Sequence, residues 1–250
     1  MEPVEPVQPV QPVDVPGTEV VNRIRALTRL PGAHRTARRV AEMAVAFIVL
    51  TVVSWHRLGP SVLDVRLLHG YRASASSTAF RIANPITNAG SPGVVVVLGI
   101  IIALLVWTQL RSIPWAIGCL VAPGIAGVIE ATLKIIVARP RPVTAVLSGE
   151  AGNGFPSGHA AGFSALAFTI AFAISARRRR HTAKAIIAAA IASAVMAITR
   201  VAVGAHYPTD VVAGLLLGIG VADTVSFLAK NADHLVEIYP DSRRRFRRAG

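Results

Sequence analysis

Gly154-Phe155-Pro156-Ser157-Gly158-His159 is the stretch on which the reading of this chain turns. It leads from a loop into a long apolar run. Ser157 offers a hydroxyl, and Gly158 offers a backbone N–H that a ligand can approach because no side chain stands in the way. Upstream, Lys134 is followed by six residues and then Arg141-Pro142; downstream, Arg200 is followed by five residues, His206, three residues and Asp210. Lys and Arg are fixed cations for phosphoryl oxygens, and one Arg can hold two oxygens. Two histidines can supply a nucleophile and a proton donor. Each block alone is a weak signal. Three blocks in this order, each at the mouth of an apolar segment, point to phosphate chemistry.

The composition points to a membrane. Hydrophobic residues make up 53% and charged residues 16% of the 250, where a soluble domain carries about 25% charged residues. Mean hydropathy is +0.55. A net charge of +13 would suit nucleic acid, but the charges sit in blocks between apolar runs, which is membrane topology rather than a basic face. Cys119 is the only cysteine, so no intramolecular disulfide and no cysteine-based metal site is expected.

Residues 1–17 repeat Pro-Val with Glu and Gln and are expected to form an extended, disordered tail. No secretory leader is expected. Residues 18–39 form a basic juxtamembrane segment, either lying on an anionic surface or anchoring the first span. Six apolar segments follow, at about 40–55, 92–110, 113–133, 159–176, 185–199 and 208–229. The expected fold is therefore all-α, a polytopic bundle of six transmembrane helices over residues 40–230, with a basic cytoplasmic tail at 231–250. Six crossings put both termini on one side. That side would carry the basic flank, Arg177 to Arg180 with Lys184, and the Arg-rich end, so both termini are expected in the cytoplasm and all three blocks outside. Residues 62–68 suggest a short helix on the outer surface, bordering a lipid entrance or simply covering the site. Glu130, four residues before Lys134, is its expected ion partner. Arg139 reads as supporting charge. His56, His69, His181 and His234 lack any such context.

The pattern Lys-x6-Arg-Pro, Pro-Ser-Gly-His, Arg-x5-His-x3-Asp resembles the type 2 phosphatidic acid phosphatase superfamily, which also includes vanadium haloperoxidases and glucose-6-phosphatase. The resemblance runs from Lys134 to Asp210. Thr199 stands where the family often has Ser, and either hydroxyl could serve. The resemblance implies that His206 is the nucleophile that forms a phosphohistidine. It implies that Asp210 holds the His206 imidazole and that His159 is the general acid. Lys134, Arg141, Arg200, Ser157 and the Gly158 N–H would form the phosphate cradle. It implies no cofactor.

Two rival readings remain. Two His and one Asp can bind zinc, but three neighbouring cations would repel a metal. A transporter or scaffold on the same fold would be credible if a motif residue were missing, and none is. The partner expected is a phosphorylated lipid within the membrane, with no nucleic acid. The run from Lys184 to Arg200 is about 22 Å as helix, shorter than a ~30 Å hydrocarbon core, so Arg200 falls near the outer headgroups, the depth of a lipid phosphate. The favoured substrate is a polyprenyl (undecaprenyl-type) diphosphate; the alternative is phosphatidylglycerol phosphate or phosphatidate.

Overall fold

The computed structural model describes residue 30, residues 32–55 and residues 59–238. The Pro-Val tail, the basic segment up to residue 29, His56 and the Arg-rich residues 243–248 lie outside them. Among the described residues the regular elements are helical: α1 (Ala33–Val53), α2 (Val62–Tyr71), α3 (Thr78–Asn88), α4 (Pro92–Leu110), α5 (Ile113–Val137), α6 (Gly158–Arg177), α7 (Thr182–Ala202) and α8 (Pro208–Ile238). Local sequence sets several of the starts. Pro92 opens α4, the Ser112 side chain accepts from Trp115 N to cap α5, and Pro208 opens α8, where a missing N–H costs nothing.

Among the described residues, five helices are long and apolar enough to cross a bilayer: Pro92–Leu110, Ile113–Val137, Gly158–Arg177, Arg179–Ala202 and Pro208–Ala232. The expected first span forms a helix, α1, that does not join this set. Arg35, Arg38, Arg39 and Glu42 occupy its first half, and the apolar remainder reaches only about 16 Å at about 1.5 Å per residue. The surface helix expected near 62–68 is α2. The next helix, α3, was not expected from the sequence.

The centre of the bundle is α6, which packs most extensively on α8, then on α7 and α5. The approach of α6 to α8 is set by small residues. A Cβ added at Gly214 would lie 2.5 Å from the Ser157 carbonyl oxygen, and one at Gly218 would lie 2.3 Å from that of Ala161. With hydrocarbon outside, helices associate through such close van der Waals contact rather than through hydrophobic exclusion. The consequence is functional: the α6 N-terminus, carrying Ser157 and His159, is clamped against the α8 N-terminus, carrying Asp210. Ser157 N donates to the Asp210 carbonyl oxygen at 2.9 Å.

Candidate active site

The three sequence blocks converge at one end of the bundle. The segment between α7 and α8 carries His206, which is 1% exposed. Its Nε2 lies 2.9 Å from Arg141 Nη1, and its Nδ1 lies 3.6 Å from Asp210 Oδ2. An Arg always donates, so Nε2 is the acceptor and Nδ1 carries the proton, facing a carboxylate. Burial, followed by Arg141, Arg200 and Lys134, holds the imidazole pKa well below its usual 6.5. His206 is thus a neutral base at neutral pH, with its Nε2 lone pair accepting from Arg141.

The Asp210 carboxylate faces His206 Nδ1 at 3.6 Å and makes its hydrogen bonds elsewhere. Its Oδ2 accepts from Tyr207 N at 3.0 Å and its Oδ1 accepts from Arg139 Nη1. The first of these caps α8, an N3 acid reaching back to the N-cap amide. The second belongs to a buried cluster that sequence reasoning underrated. Arg139 Nη2 donates to Asp64 Oδ2 at 2.7 Å and its Nη1 donates to Thr209 Oγ1 at 2.7 Å. The guanidinium also lies 4.8 Å from the Tyr207 ring centroid. Asp64 accepts from Thr209 N and Thr209 Oγ1 at 3.0 and 2.9 Å, and from the Ser61 hydroxyl at 3.0 Å in the capping box of α2. Burial would raise the Asp64 carboxyl, but hydrogen bonds from Arg139 and Thr209 hold it below its ordinary value.

Lys134 and Arg141 line the opening. Lys134 Nζ is 2.5 Å from Glu130 Oε1, the ion pair expected from their spacing. Arg200 is buried; its Nη1 donates to Thr87 Oγ1 on α3 at 3.1 Å, and its Nη2 donates to Glu150 Oε1 at 2.5 Å. Arg141 donates from Nη1 to the Ala205 carbonyl at 3.1 Å, and its Nη2 lies 3.2 Å from Glu150 Oε2. His159 Nε2 lies 3.9 Å from Glu150 Oε1. Ser157 Oγ is buried with no hydrogen-bond partner among the described residues. A Cβ at Gly158 would lie 2.6 Å from Glu130 Oε1, so the α5 acid packs closely over this glycine. Glu150 was missed from the sequence, since nothing in its neighbourhood marks a contact with Arg200. Among the described residues, no three His, Cys, Asp or Glu side chains converge as a metal site.

The opening continues into a cavity of about 610 Å³ between α4, α5 and α6. Its polar end is formed by Lys134, Arg141, Glu150, His159 and His206, and its apolar end by residues such as Val96, Ile100, Leu120 and Pro123. The model of the PAP2 superfamily matches residues 115–232 of this chain. A similar solved structure is that of a transmembrane PAP2 type phosphatidylglycerolphosphate phosphatase from Bacillus subtilis. The two share 22% identity with a TM-score of 0.68, over 79% of this chain and 97% of that one. No curated protein matches the chain.

Proposed function

We propose that this protein is a membrane lipid phosphatase that acts through a phosphohistidine. The observation that carries the reading is a cavity whose polar end holds His206, His159, Lys134 and Arg141 and whose other end is apolar. A phosphorylated lipid has that shape. His206 Nε2 attacks phosphorus while the bond to the departing oxygen breaks, and His159 gives that oxygen its proton. Water then attacks the phosphohistidine, His159 takes the water's proton, and inorganic phosphate leaves. Arg141 occupies Nε2 in the free protein, so it must turn onto a phosphoryl oxygen before Nε2 can attack. Asp210, facing Nδ1, favours the tautomer that keeps Nε2 unprotonated. Lys134, Arg141 and Arg200, with Ser157 Oγ and the Gly158 N–H, stabilise the charge that develops on the phosphoryl oxygens. The cations supply this charge without a metal, so activity should survive a strong chelator and vanadate should inhibit.

For the substrate we favour a polyprenyl diphosphate, whose extra oxygens give Lys134, Arg141 and Arg200 more to hold. The Bacillus subtilis structure supports the second reading, a phosphatidylglycerol phosphate. Competition between the two lipids at equal amounts in one detergent decides, and a higher kcat/KM on the glycerolipid would remove the polyprenyl assignment.

We take α1 as the sixth crossing. Arg39 donates to Asp223 on α8 at 2.9 and 2.7 Å, while Ser54, just past the other end of α1, accepts from Arg139 Nη1 at 3.4 Å. The helix therefore runs along α8 from one end to the level of the site. Both termini are then cytoplasmic and the site extracytoplasmic. In a Cys119→Ser background, Val143→Cys should react with an impermeant maleimide in intact cells and Arg180→Cys only after permeabilisation. The reverse pattern would invert the topology.

A further inference from the structure

In the free protein the phosphate cradle already holds an anion, and that anion belongs to the chain. Glu150 spans Arg200 and Arg141 with its two oxygens, at 2.5 and 3.2 Å, and stands 3.9 Å from His159 Nε2. These are the groups that the phosphatase reading assigns to the substrate phosphate. Burial would raise the Glu150 carboxyl, but Arg200, then Arg141 and His159, hold it below the usual glutamate value, so it stays charged at neutral pH. Gly149 and Gly152 flank it with φ of 72° and 76°, where other residues are strained, and neither has a neighbour within reach of an added Cβ.

Resting on the phosphatase reading, we propose that Glu150 is a specificity-determining residue. Its carboxylate occupies the cradle as a built-in competitor, and only a ligand with more negative charge than one carboxylate displaces it. A terminal phosphate carries about −1.5 to −2 at pH 7 and a diphosphate more. A phosphodiester headgroup, as in the bulk anionic lipids around the protein, carries one charge and gains nothing over Glu150. Arg200 and Arg141 would otherwise attract such headgroups, which are present in large excess in any membrane. Excluding them keeps the site open for scarce substrate.

The test uses purified full-length protein in detergent and reads thermal stabilisation, which needs no turnover. Wild type, Glu150→Gln and Glu150→Ala are each titrated with inorganic phosphate and, separately, with dioleoyl phosphatidylglycerol in the micelle. The expected result is half-maximal stabilisation by phosphate at a concentration at least about tenfold lower in both variants. Only the variants should be stabilised by the diester. An unchanged or raised midpoint in the variants overturns the proposal, as does a wild type that binds the diester as well as they do. Failure of both variants to fold also overturns it, since Glu150 would then hold the structure together. If wild type releases no phosphate from any phosphorylated lipid, the phosphatase reading fails, whatever the titrations show.

Discussion

Two ion clusters lie side by side at this end of the bundle, built on opposite plans. In one, Arg139 is sealed between Asp64 and Asp210, with Thr209 and Tyr207 completing its surroundings. Every charge there has a fixed partner on a helix or at a helix start. In the other, Lys134, Arg141 and Arg200 face Glu130 and Glu150, an excess of cation partly covered by a loop acid. The first cluster resembles a structural joint: removing one member leaves a buried charge unpaired. The second resembles a binding site: its members lose their partners each time a ligand enters. His206 stands between them, with Nδ1 toward the joint and Nε2 toward the cradle.

The largest effect should come at that junction. His206→Ala should lower turnover by roughly 10⁴-fold or more, as loss of a nucleophile does elsewhere, and should abolish any acid-labile phosphoenzyme. A covalent phosphoenzyme surviving in this variant would move the nucleophile to another residue.

The two arginines should then give opposite signatures. Arg200→Ala should cut kcat/KM by roughly 10²–10³-fold while changing the melting temperature little. Arg139→Ala leaves Asp64 and Asp210 unpaired and should cost about 3–5 kcal/mol of stability, read as a fall in melting temperature in detergent. If both lose stability equally, the distinction between joint and cradle is wrong.

A smaller effect is the pH dependence. His206 is held neutral well below 6.5, so the acid limb of phosphoenzyme formation should lie below that value in the wild type. Arg141→Gln removes one of the charges that depress it, and the limb should move up toward 6.5, incompletely because burial persists. The joint adds an acid dependence of stability. Asp64 has a folded pKa below its ordinary 3.8, so its stabilisation is complete above that pH and is lost as pH falls through the folded value. Melting temperature should therefore drop further below about pH 4 in the wild type than in Asp64→Asn.

The sequence showed the cradle more readily than the joint, for physical reasons. Lys134, Arg141, Ser157, His159, Arg200 and His206 lie in short blocks with fixed spacing, and Glu130 sits one helical turn from Lys134. Long apolar runs with no charge inside them, such as that of α4, announce membrane helices directly. Asp64 lies on a short helix, and its importance comes from Arg139, which is distant in sequence. Glu150 sits in a loop with no periodicity, and its partners are on α7 and in the segment after α5. The sixth span is the least legible, because the charged first half of α1 shortens its apolar part. The α3 helix, which supplies Thr87 to Arg200, is short and carries Pro85 within it, so its amphipathic pattern did not stand out as a span.

The central claim is that His206 and the cradle hydrolyse phosphate from a lipid. The most direct measurement is phosphate release by the purified protein, with chelator present, from polyprenyl diphosphate and phosphatidylglycerol phosphate in detergent, with His206→Ala in parallel. The account predicts release from at least one lipid by the wild type and none by the variant. Absence of release from either lipid by a folded wild type, or equal release by His206→Ala, would contradict it.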